Sequence, residues 1–257
     1  MRKLIAAIVV AGATFMAGQA IAADFPEYPP VIDIPDVDYG VQGSFYLRGS
    51  AAANMLWSKE AYAYECNCGV GPDPVITLFP FNAMGYGYSI GAGAGYETGT
   101  GLRVDATIDF VGNKGLNVHK GPQFGIREGD YTVSLRSTIA LANVYYDFSF
   151  GGGGYGYSAA GGMFAYVGGG AGVAFNHLSI SSPPANPQGT SADGDNTSFA
   201  AAGMIGVGYD FGSVVADLGY RAVYIADLSN GLAAPATEWA HNNWLHEVRG
   251  TVRYRFN

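Results

Sequence analysis

EVRGTVRYRFN, residues 247–257, alternates with a strict period of two. Val248, Gly250, Val252, Tyr254 and Phe256 fall on one face, and Glu247, Arg249, Thr251, Arg253 and Arg255 on the other. That is the pattern of a β-strand with one oily and one charged side. A soluble sandwich would turn the oily side into its core and a membrane barrel would turn it toward lipid, so this stretch alone fits both.

The opening residues help to choose. MRKLIAAIVVAGATFMAGQAIA, residues 1–22, sets Arg2 and Lys3 before an uncharged apolar run, then offers Ala20-Ile21-Ala22 as a small-residue cleavage site. This reads as a secretory signal peptide, because the apolar run is too short and wrongly flanked for a spanning helix. No other stretch is apolar for the length such a helix needs, so a membrane location calls for a barrel. Residues 23–42, with Pro26, Pro29, Pro30 and Pro35 among scattered acids, read as an extended periplasmic leader.

Composition supports strands over helices: 39 Gly, 18 Tyr, 14 Phe and only 13% charged residues. Cleavage of the signal removes Arg2 and Lys3 and no acid, taking the formal charge from −8 to −10. So acidic a chain is a poor partner for nucleic acid. The two cysteines, Cys66 and Cys68, are too few and too close together for a zinc site, and either pair with each other or stay free. No metal site is expected.

Alternating stretches recur along residues 43–257. Phe45 and Leu47 oppose Tyr46 and Arg48; Tyr86, Tyr88, Ile90 and Tyr96 oppose a row of glycines; Leu102, Val104, Ala106, Ile108 and Phe110 oppose Arg103, Asp105, Thr107 and Asp109. In the fourth stretch Val133, Leu135, Ile139 and Leu141 are placed on the oily outside and Arg136 on the polar side, with phase lost near Asn143, where a bulge is expected. Gly-rich fifth and sixth stretches, a seventh carrying Asp217 and Arg221 on its polar face, and the C-terminal run bring the count to about eight.

The connections at 54–84, 111–131, 176–197 and 225–242 are long, whereas TGTG and GS are short turns. Long-short alternation is the pattern of an all-β, eight-stranded antiparallel transmembrane β-barrel with long extracellular loops and short periplasmic turns. Residues 43–257 are assigned to it. Its interior is just wide enough for side chains to fill. The polar faces together place Arg48, Arg103, Asp105, Asp109, Arg136, Asp217, Arg221, Glu247, Arg249 and Arg253 in the lumen. Charges in that confinement must pair, so a salt-bridge network filling the barrel is expected, with a narrow charged pore as the alternative.

Little points to catalysis. His119, His177, His241 and His246 lie in or beside the long connections, and adjacent His246 and Glu247 would point to opposite faces of one strand. GxSxG, HExxH and phosphate-binding sequences are absent, and GAGAG and GGGAG lie within strand patterns that lead into no helix.

With SFYLRGS as first strand, an acidic Pro-rich leader after the signal, and VRYRF near the end, the mature chain resembles the alphaproteobacterial outer membrane proteins of the opacity-like, outer-membrane-protein-A-like eight-stranded group, which includes rhizobial immunogenic surface proteins. Asn257 departs from the aromatic that usually closes such chains, leaving Phe256 penultimate. The resemblance implies a non-enzymatic protein of the cell outer membrane with a structural, envelope-integrity and surface-interaction role. A small porin is the alternative, followed by a heme-binding surface protein with His119, His177 or His241 as axial ligands. It further implies Val252, Tyr254 and Phe256 as a C-terminal assembly signal. The partners implied are outer membrane lipid, the barrel assembly machinery and host or surface ligands met through the loops. No resident cofactor is expected.

Overall fold

The computed structural model describes residues 43–65, 75–120, 129–150, 162–181, 192–232 and 238–256. The expected signal peptide and leader, together with Cys66 and Cys68, lie outside the described residues. Ten strands follow in order: β1 (Ser44–Trp57), β2 (Glu60–Glu65), β3 (Val75–Ala83), β4 (Gly85–Glu97), β5 (Leu102–Lys120), β6 (Gly129–Ser149), β7 (Gly162–Ser181), β8 (Ala192–Asp210), β9 (Val214–Ser229) and β10 (Glu238–Phe256).

Eight of these close a ring. Consecutive strands from β4 to β10 pair antiparallel, β1 pairs β4, and β10 returns to β1, with Phe45 opposite Phe256 and Trp57 opposite Trp244. The remaining two continue the wall upward. β2 takes over from β1 against β10, with Ala61 opposite Ala240, while β3 precedes β4 and meets β5 at Phe81 and Val118. The wall is therefore eight strands throughout, two of them broken at Ser58–Lys59 and at Met84. This bears out the eight-stranded antiparallel barrel.

Two tight turns close the short-turn end. At Thr98–Gly101, Gly99 and Gly101 take φ of 75° and 92°, and Gly212 takes 96° in the turn between β8 and β9. A side chain is strained at such angles, which accounts for glycine there.

The strands are longer than sequence periodicity suggests. β6 spans 21 residues and β7 spans 20, whereas a tilted strand needs only about 10 to cross a bilayer. The stretches 54–84, 111–131, 176–197 and 225–242, expected as long loops, are in large part strand: β5 runs on to Lys120, β7 to Ser181 and β9 to Ser229.

The reason lies in which face is oily. On the short-turn half of β6, Val144, Tyr146 and Phe148 are exposed on the outside while Asn143, Tyr145 and Asp147 are buried inside. On the opposite half Tyr131, Val133, Leu135, Ile139 and Leu141 are buried inside, and Arg136 is exposed outside. The backbone keeps its phase from Tyr131 to Asp147, and no bulge occurs at Asn143. What inverts is the medium: lipid outside the lower half favours apolar side chains there, and water outside the upper half favours apolar side chains within.

Candidate functional site

The lower lumen is a lattice of charge. Arg221, Asp109, Arg249 and Glu247 form a closed quartet: Arg221 donates to Asp109 at 2.6 Å and to Glu247 at 2.5 Å, and Arg249 donates to the same two carboxylates at 2.6 and 2.9 Å. Ser89 donates a further hydrogen bond to Glu247, and its hydroxyl accepts one from Asn54. Asp109 is on β5, Arg221 on β9, and Glu247 and Arg249 on β10, so the quartet ties opposite walls together.

Below it, Arg48 reaches Asp105 and the Tyr145 hydroxyl, each at 2.8 Å, and Tyr46 donates to Asp105 at 2.9 Å. Arg103 pairs with Asp147 at 2.7 Å and lies 4.1 Å from the Tyr145 ring centroid. Arg253 sits among Glu97, Asp147 and Asp217, over the rings of Tyr46 and Phe164. Arg255 pairs with Glu97 and Asp210 and donates to the Gly212 carbonyl, fixing the β8–β9 turn. Arg103 and Arg253 are 2% and 0% exposed, so these charges depend on each other for what water would have supplied.

Of the sequence-assigned lumen residues, nine meet in this lattice: Arg48, Arg103, Asp105, Asp109, Asp217, Arg221, Glu247, Arg249 and Arg253. Arg136 does not. It sits on the outer face of β6, because the apolar inward residues of that half, Leu135 and Ile139, hold the opposite phase. Three members were missed, Glu97, Asp147 and Asp210, while Arg255, on the charged face of the C-terminal stretch, joins the lattice as that face implies. Asp147 lies on the same face of β6 as Leu135 and Ile139, so it enters the lumen only because that face is the inner one. Glu97 and Asp210 stand at strand ends, where alternation is too short to count.

Aromatic rings and glycines fit each other across the lumen. Tyr166 lies against the inner faces of Gly206 and Gly219, where an added Cβ would come within 2.7 Å and 2.2 Å of its ring system. Gly219→Val is expected to cost about 1–3 kcal/mol by overpacking, read as a lowered unfolding midpoint of the refolded barrel. An unchanged midpoint would show that Tyr166 can move aside.

Above the lattice the lumen turns oily. Leu56, Leu116, Leu135, Ile139, Val223, Ile225 and Leu245 belong to one buried cluster that spans the bore. The bore is thus filled twice, by ion pairs in the lower half and by hydrocarbon in the upper.

The histidines stand on the outer wall. His119 pairs with Asp130 at 2.9 Å, His177 with Asp195 at 2.8 Å, and His241 with Asp227, each directly opposite its partner across a ladder. His246 bonds the Tyr220 hydroxyl and stacks on Trp244. His119, His177 and His241 are carried by β5, β7 and β10, with other strands between them, and each Nδ1 engages a carboxylate. No group of three potential metal ligands occurs among the described residues. Val252, Tyr254 and Phe256 face outward, about half exposed, on β10.

No protein-family model matches the chain, and no curated protein matches it. Among solved structures it is similar to Neisserial surface protein A, at 22% identity over 83% of this chain and 99% of that one, with a TM-score of 0.46. OprG from Pseudomonas aeruginosa shares 15% identity over 86% and 100%, with a TM-score of 0.49. Ail of Yersinia pestis, solved with the heparin analogue sucrose octasulfate, shares 11% over 84% and 99%, with a TM-score of 0.42. At these values the barrel's character rests on its own residues: an outer belt including Phe45, Ile108, Phe110, Ile205, Val252 and Phe256 is exposed around the closed wall, which only lipid solvates well.

Proposed function

We propose that this outer-membrane barrel is a non-conducting, non-enzymatic scaffold that strengthens the envelope and presents its upper rim to partners outside the cell. The observation carrying this reading is the doubly filled bore, charged lattice below and apolar cluster above. Water and ions crossing it would have to break buried pairs and then traverse hydrocarbon.

The rim favours presentation. The β2–β3 hairpin lifts Tyr62 above the ring, stacked on Trp239 at 5.8 Å and tilted against His241 at 5.6 Å. Partly exposed aromatic groups on a rigid sheet suit contact with another surface at low entropic cost. Val252, Tyr254 and Phe256, lipid-facing at the terminus of β10, suit an address read by the barrel assembly machinery.

Planar-bilayer recording of the refolded barrel tests the conduction half of this reading. The expected result is no discrete current steps over tens of minutes. Stable steps from the native protein would identify it as a small pore instead.

A further inference from the structure

Six of the seven described arginines point into the bore, and Arg136 is the exception. Its outward position has company. Lys114 on β5 is also exposed on the outer face, and both line one surface groove with Tyr88, Phe110, Phe175 and His177. Neither Lys114 nor Arg136 forms an ion pair among the described residues, whereas Lys59, at the strand break above, pairs with Glu60. Where the lipid-facing belt gives way to the water-facing wall, two neighbouring cations without a protein ion-pair partner are placed to meet an anion.

The ladder places them at a boundary. One rung reads Ile90, Phe110, Thr138, Phe175 across β4 to β7, and its outward side chains are mostly large and apolar. The next rung up reads Tyr88, Gly112, Arg136, His177, with Asp195 following on β8. Gly112 leaves the Tyr88 ring room beside the wall: an added Cβ would stand 3.9 Å from it. Lys114 lies opposite Tyr86, one outward position higher. Asp195, an acid lining the same groove, is engaged by His177.

An apolar floor bounded above by two cations matches a molecule with acyl chains below and phosphate above. We infer that Lys114 and Arg136 form a headgroup seat for a phosphate-bearing lipid of the outer leaflet. Its phosphate meets the guanidinium and ammonium, and its chains lie on Ile90, Phe110 and Phe175. A soluble anion would satisfy the cations but leave the floor unused. An uncharged lipid would cover the floor but leave the cations unmatched. Only a lipid with an anionic headgroup serves both halves.

The test is native mass spectrometry of the mature chain refolded in zwitterionic detergent, with a bis-phosphorylated glycolipid and its dephosphorylated counterpart as probes. The native barrel is expected to retain the phosphorylated lipid. Both side chains are exposed, so K114Q/R136Q should keep heat-modifiable gel mobility while retention weakens about thirtyfold. The charge-preserving K114R/R136K variant, a control for folding, should retain the lipid. Equal retention by the native and Gln variants, or equal retention of the two lipids, would overturn the assignment. Displacement by millimolar inorganic phosphate would overturn the lipid as occupant and leave a simple anion site.

Discussion

Arg249→Ala is expected to lower the unfolding free energy of the refolded barrel by about 3–5 kcal/mol, measured by urea titration in lipid or detergent. The guanidinium holds both Asp109 and Glu247, and the Arg221 guanidinium cannot neutralise two carboxylates alone. Removing one cation leaves a buried excess negative charge in a space that Leu245 and Val223 seal from above. Arg136→Ala under the same conditions is expected to change stability by no more than about 0.5 kcal/mol, because that side chain is exposed. Equal losses from the two variants would mean that the quartet is hydrated and contributes no more than a surface charge.

A second pair of neighbours should separate as sharply. Leu135→Asp is expected to destabilise by at least about 3 kcal/mol or to prevent refolding, since it deletes a buried side chain and inserts an unpaired charge into the apolar cluster. Ser134→Asp, one residue away and facing outward in the groove, should be tolerated within about 1 kcal/mol. The strict alternation of β6 makes the contrast a direct reading of its phase. If Ser134→Asp proved the harmful change, the oily face of this strand would lie outside, as its sequence pattern by itself suggests.

That pair also marks where sequence reasoning stopped. Alternation located the membrane-spanning parts of the barrel wall and nine members of the charge lattice, because in those parts apolar means lipid and polar means lumen. The rule holds only where lipid surrounds the wall. Above the lipid belt, Val133 and Leu135 are apolar for the opposite reason, and one strand crosses two solvents with no mark between them. Period two alone thus sends Arg136 inward, places a bulge at Asn143 and leaves the long strand extensions as loops. The lipid seat was hidden for the same reason: it exists only once Arg136 is outside, and its members come from β4, β5, β6 and β7, whose register no single stretch reveals. Asn242, with φ of 58°, marks another place where phase fails: Ala240 and Asn243 on β10 are both buried. A lone asparagine gives no warning of that.

The seam between β1 and β10 bears on how this protein comes to exist. Phe45 lies opposite Phe256 and Asn54 opposite Glu247, so the pairs that close the cylinder join residues nearly the whole chain apart. Contacts of such long sequence separation form late and slowly, since the chain must be confined before any of them is rewarded. Until they form, two edges of unpaired backbone run the full height of an open sheet, and each is a template for a neighbouring chain. Exposure to that hazard lasts as long as the seam takes to shut. How soon β10 meets β1 therefore sets how long those two edges stand open.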